Sequence, residues 1–259
     1  MILALNIGNS NITFGCYMQD GKLMFSSRLF ADAALSSDEL LFKMVNMLAL
    51  YGAEPVQITG VIFASVVPAL TPRMREALRK MCEAPVVEVG PGLKSGVRIR
   101  MDNPAQLGGE LLCAVVGALQ RHTPPLVVMN LDTAISMLAV DASGALVGGA
   151  IVPGPQISLA ALVRNTAQLP QVELDARPRR VLGANTADCL HSGVVYGTAA
   201  MLDGMVENFR AALGAPEAPV AATGTLPPSV HAACRTSIHY RETLILDGLY
   251  AIWQRNARK

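Results

Sequence analysis

A chain of 259 residues is long enough for one large domain or two ordinary ones, with a sizeable core either way. Apolar residues make up 51% and charged residues 16%, a balance that can bury enough surface to offset ordering entropy, which argues against disorder. The net charge of +1 gives no global field for nucleic acid or an anionic membrane, and the one basic cluster, residues 255–259, reads as a solvated end.

The five cysteines (Cys16, Cys82, Cys113, Cys189 and Cys234) form no C-x-x-C pair, and their odd number argues against a full disulfide framework. Thiols in apolar stretches behave as small hydrophobes, and a reducing compartment suits them better. Residues 1–6 lack a basic leader and read as a strand, and no apolar run is long enough to span a bilayer. The expectation is a soluble, cytoplasmic protein without nucleic-acid or membrane partners. The four histidines, His122, His191, His231 and His239, lack metal-ligand spacing and read as surface or loop residues.

Residues 2–7 are a short apolar run ending at Gly8-Asn9-Ser10. Residues 12–18, the pair Asp20-Gly21 and residues 23–29 follow, and tight-turn chemistry between apolar runs predicts an antiparallel meander. Ser36-Ser37-Asp38-Glu39 is a helix start, with periodic residues 40–50 behind it. Residues 60–67 read as a buried strand, 71–81 as an amphipathic helix, 85–89 as a strand and 107–119 as an apolar helix. Pro124-Pro125 is the best domain boundary, dividing the chain into 1–122 and 123–259.

After it the opening pattern returns, as strands 126–131, 135–140 and 145–152 separated by Asp132-Thr133-Ala134 and residues 141–144. The remainder reads as helices 156–165, 187–212 and 242–255, interrupted by a strand at 219–223. Two halves that each open with a three-stranded meander suggest a duplicated α/β unit; a single long sheet is the alternative. Paired tight turns have a chemical use. Successive backbone N–H groups can converge on an anion, glycine admits close approach, and Mg²⁺ prefers hard oxygen ligands nearby.

The order of these segments is more specific than any one of them, and it resembles the type III pantothenate kinases of the acetate and sugar kinase, heat-shock protein and actin superfamily. Asn6-Ile7-Gly8-Asn9-Ser10-Asn11 resembles that family's opening D-x-G-N-T/S-N. Asp102-Asn103-Pro104 with Leu107-Gly108-Gly109-Glu110 resembles its D-N-P-x-x-V-G-A-D-R, and Asn130-Leu131-Asp132-Thr133-Ala134 its D-x-G-T-A. Gly148-Gly149-Ala150-Ile151-Val152-Pro153-Gly154 matches G-G-x-I-x-P-G, Thr223-Gly224-Thr225 resembles T-G-G, and residues 244–249 resemble the closing L-x-L-x-G-L.

The resemblance implies two related ribonuclease-H-like (actin-like ATPase) lobes, each a mixed sheet with helices, with a cleft between them. It implies transfer of the ATP γ-phosphate to pantothenate, the first step toward coenzyme A, with Mg²⁺ and a monovalent cation (K⁺ or NH₄⁺) in a homodimer. Glu110 falls at the catalytic base; Asn6, Gly8, Asn9, Ser10, Asn11, Thr133, Thr223 and Gly224 fall at nucleotide positions. Met101, Asn103, Gly108, Gly109, Leu111 and Thr186 fall at acceptor positions, and Asn130 and Asp132 at the cation position.

Several positions depart from the pattern. Asn6 and Asn130 replace carboxylates, Leu111 replaces an arginine and reads as a core residue of its helix, and Met101 stands where tyrosine is common. Asp132 and Thr225 replace glycines, bringing an anion and bulk toward polyphosphate and adenosine. Glu110 keeps its carboxylate one methylene further out; its plainer reading is an exposed first-turn glutamate favoured by the helix dipole. Weak or impaired activity is therefore expected. The alternatives are a catalytically inactive pseudokinase that acts as a binding or regulatory partner, and a kinase of another small hydroxyl substrate.

Overall fold

The computed structural model describes residues 1–257; Arg258 and Lys259 of the basic cluster lie outside the described residues. The described residues form two compact units, one of residues 1–97, 102–121 and 243–257, the other of residues 98–101 and 122–242. A single cut at 122/123 therefore does not describe them, because the last helix belongs with the first unit.

The first unit opens with β1 (Ile2–Ile7), β2 (Asn11–Tyr17) and β3 (Leu23–Phe30), the expected meander. Helix α1 (Ser37–Leu50) starts at a capping box: Glu39 N–H donates to Ser36 Oγ at 3.3 Å, and Ser36 N–H donates to Glu39 Oε2 at 2.8 Å. Strand β4 (Gly60–Ser65), helix α2 (Thr71–Met81), strand β5 (Val86–Glu88) and helix α3 (Gly109–Leu119) follow. The sheet order is β3-β2-β1-β4-β5. β1 pairs antiparallel with β2 and parallel with β4, and all six of its residues are buried, as a strand covered on both faces requires. β4 ends two residues before the sequence pattern does. There Val66 N–H donates to Ile7 O, and Val67 N–H to the Ser65 hydroxyl, turning the chain out of the sheet.

The second unit repeats this arrangement. Strands β6 (Leu126–Leu131), β7 (Ala134–Val140) and β8 (Leu146–Pro153) form the meander. Helices α4 (Pro155–Arg164) and α5 (Thr186–Leu213) precede β9 (Val220–Gly224), α6 (Pro228–Ala233) and β10 (Ile238–Tyr240). The order β8-β7-β6-β9-β10 is that of the first sheet, with the last two strands again parallel to their inner neighbours. Two five-stranded sheets, not one long sheet, are present. α6 and β10 carry no pattern that sequence reading could use: β10 is three residues, none of them fully buried.

α7 (Leu244–Asn256) packs against α3 with backbones in near contact. A Cβ on Gly117 would lie 2.1 Å from Leu244 O, and one on Gly248 would lie 1.8 Å from Cys113 O, so only glycine fits either position. Among the described residues no helix is long and apolar enough to cross a membrane.

Candidate active site

In the first unit the site is built where parallel strands β1 and β4 end and α3 begins. Asn6, 8% exposed, is the penultimate residue of β1, opposite Ala64 of β4. The chain then turns through Gly8, whose N–H donates to Asn11 O at 2.9 Å. Gly108 caps α3, and Gly109 lies against Ala64 and Val89, where a Cβ would be 3.6 and 3.4 Å from its neighbours. This close seating brings the first turn of α3 onto the end of β1. Asn6 Nδ2 donates to Glu110 Oε2 at 3.4 Å, a long hydrogen bond between residues 104 apart in sequence. A Cβ on Gly8 would stand 3.8 Å from the same carboxylate oxygen.

Glu110 lies in the first turn of α3 and is half-buried rather than exposed. Asn6 Oδ1 is buried with no hydrogen-bond partner, a costly arrangement that leaves a hard oxygen ready to accept from a ligand or a cation. Leu111 is half-buried, less enclosed than the expected core residue. Of the remaining first-unit positions, Asn9 and Asn103 are exposed, and Ser10, Asn11, Gly108 and Gly109 are half-buried. Asn103 Oδ1 accepts from Ala105 N–H at 3.2 Å and so fixes the turn before α3.

Burial raises the neighbouring Cys113 thiol, and the charge of Glu110 adds to the effect. Burial also pushes the Cys16 thiol up to about 12. Neither is a nucleophile near neutral pH.

In the second unit the site lies at the ends of β6 and β9. Asn130, 5% exposed, pairs with Ser136 of β7 and Thr223 of β9, both buried, which makes a polar row across three strands. The Thr223 hydroxyl donates to Glu242 O at 3.2 Å. Beyond Leu131, Asp132 Oδ1 accepts from Thr133 N–H at 2.9 Å and from the Thr225 hydroxyl at 3.1 Å. Asp132 and Thr225, 93 residues apart in sequence, are partners in the structure, and the simultaneous departure of both from glycine is the signal of it in the sequence. Gly224, at φ +108°, lets β9 pass so close that a Cβ would lie 2.4 Å from Leu131 O. Of the acceptor positions, Met101 and Thr186 belong to this unit, Thr186 exposed at the start of α5. Among the described residues no three histidine, cysteine or acidic side chains converge on a metal position.

The duplicated mixed sheet, five strands in each unit with glycine-lined turns at the strand ends, is an α/β fold. The activator of the 2-hydroxyisocaproyl-CoA dehydratase from Clostridium difficile, solved with bound ADPNP, shares this fold at 10% identity, with a TM-score of 0.53 over 99% of this chain and 96% of that one. The family model for type III pantothenate kinases matches residues 2–208. A type III pantothenate kinase of Saccharopolyspora erythraea is 36% identical over 267 residues, and one of Myxococcus xanthus 34% over 256, each alignment covering 99% of both chains. The chain belongs to the type III pantothenate kinase family, a family of ATP-using kinases.

Proposed function

We propose that this protein transfers the γ-phosphate of ATP to the hydroxyl of pantothenate, giving 4'-phosphopantothenate, at a rate well below that of an ordinary small-molecule kinase. The observation that carries the reading is the Glu110 carboxylate, held by Asn6 at the end of β1, where a general base can take the proton of an attacking hydroxyl. The turn of residues 6–11 would receive phosphate oxygens, with the unpartnered Asn6 Oδ1 offering an oxygen to Mg²⁺. A monovalent cation would sit beside Asn130 and Asp132. Asn103, Gly108, Gly109 and Leu111 of the first unit would line the acceptor, with Leu111 supplying no charge to it.

The slow rate follows from lost charge: each fixed electrostatic contact in such a site is worth about 2.7–4 kcal/mol, and three charged positions are neutral here. A pseudokinase is the second reading, favoured by the internal bonding of Asp132. The test is pantothenate-dependent ADP release by the wild type and by Asn6→Asp, Leu111→Arg, Asn130→Asp and Asp132→Gly combined. Slow wild-type turnover that rises in the combined variant is expected. Wild-type turnover in the ordinary kinase range of about 1–100 s⁻¹ removes the impairment. Nucleotide binding without turnover in either protein favours the pseudokinase.

A homodimer in the cytoplasm completes the proposal. Its support is apolar surface on the second unit: Leu162 is exposed at a hollow of about 340 Å³ between α4 and α5, and Ile151, Val181 and Leu182 are exposed as well.

A further inference from the structure

The second turn already contains an anion, and it is the chain's own. Thr133 N–H and the Thr225 hydroxyl come from two different strand ends and converge on one oxygen, Asp132 Oδ1, at 2.9 and 3.1 Å. A backbone N–H and a hydroxyl meeting at one point are what a phosphate oxygen would require of this turn.

The backbone around them is oriented for that purpose. Leu131 O accepts from Thr225 N–H at 2.6 Å, and Thr133 O accepts from Gly154 N–H at 3.0 Å. Asp132 O faces Gly154 so closely that a Cβ there would stand 2.6 Å away. A trans peptide points its N–H opposite its C=O, so with Asp132 O turned toward Gly154, Thr133 N–H faces away from it, toward the turn's outer side. The turn's backbone is fixed between Gly154 and Gly224; the Asp132 side chain is the part that can rotate.

We propose that Asp132 is an internal stand-in for a phosphate oxygen, closing an anion site formed by Thr133 N–H and the Thr225 hydroxyl, and that nucleotide enters only as this carboxylate swings out. The inference rests on the nucleotide reading above and names a further element of that site. It makes Thr225 a binding residue where the sequence suggested an obstruction. It also makes the two departures from glycine one change: the threonine adds a donor, and the aspartate covers it.

The experiment is calorimetric titration of the full chain with ADP and, separately, with inorganic phosphate. The proteins are wild type, Asp132→Ala, Asp132→Asn, Thr225→Val and the Asp132→Ala/Thr225→Val double variant. Asp132→Ala is expected to bind both probes about tenfold or more tightly than wild type, with Asp132→Asn between the two. Adding Thr225→Val should remove most of that gain. Equal or weaker binding by Asp132→Ala, with the melting temperature of wild type, overturns the proposal. If Asp132→Ala does not fold, Asp132→Asn decides by the same criterion. A gain in phosphate affinity without pantothenate turnover in any variant sustains this inference and removes the kinase reading. Turnover by the wild type without any gain in Asp132→Ala or Asp132→Asn does the reverse.

Discussion

At the scale of single residues, the site is defined by a contact between Asn6 and Glu110. An amide beside a carboxylate can donate to it; a second carboxylate at 6 would place like charges about as close as the present 3.4 Å contact. Asn6→Asp is therefore expected to raise the pKa of one of the two acids above its unfolded value. A group raised in this way favours the folded state at low pH and loses that advantage as pH rises through its folded pKa. The variant should melt below wild type at pH 7 in chelator, the deficit shrinking toward acid pH and on adding Mg²⁺. Thermal melts across pH with and without Mg²⁺ check this; a deficit independent of both contradicts it. Neither this contact nor the Asp132–Thr225 bond was legible in sequence. Each joins positions about a hundred residues apart, and only the departure of both partners from a shared pattern hinted at them.

At the scale of elements, local chemistry fixed a great deal. The Ser36–Glu39 capping box placed the start of α1, and residues 71–81 carried an amphipathic pattern that became α2 without adjustment. The strands β1 and β6 were visible because central strands buried on both faces are continuously apolar. β10 was not visible, since a three-residue edge strand buries too little to leave a pattern. Its surroundings are anchored instead by Asp203 of α5, 3% exposed, which accepts from Arg235 N–H at 2.9 Å, from Thr236 N–H at 2.9 Å and from Arg235 Nε at 3.3 Å. Burial opposes ionisation there, but the Arg235 and Thr236 donors outweigh it and hold the carboxyl below its usual value. A depressed acid stabilises the fold above its unfolded pKa and stops doing so as pH falls through its folded pKa. Asp203→Asn should cost about 1–3 kcal/mol near neutral pH, with the gap from wild type closing in acid. Denaturant melts at several pH values measure it; a constant gap contradicts the linkage.

At the scale of the whole molecule, the duplicated meander was readable because both copies begin with the same alternation of apolar run and tight turn. The membership of α7 in the first unit was not, because it depends on the glycine contacts at 117 and 248, which are tertiary. Assembly is tested by sedimentation: the particle should have about twice the chain mass of 27.4 kDa. Gly197→Arg should lower it to the monomer, since a Cβ at 197 meets nothing within 4 Å and the arginine would put a charge on the exposed α5 face. A monomeric wild type removes the dimer.

The reading of the molecule as a slow kinase stands most directly on one assay, ADP release with and without pantothenate by wild type and Glu110→Gln. The prediction is a small pantothenate-dependent rate in the wild type that falls at least a hundredfold, the lower range for a lost general base, in Glu110→Gln. A rate that Glu110→Gln leaves intact, or no pantothenate dependence in the wild type, contradicts it.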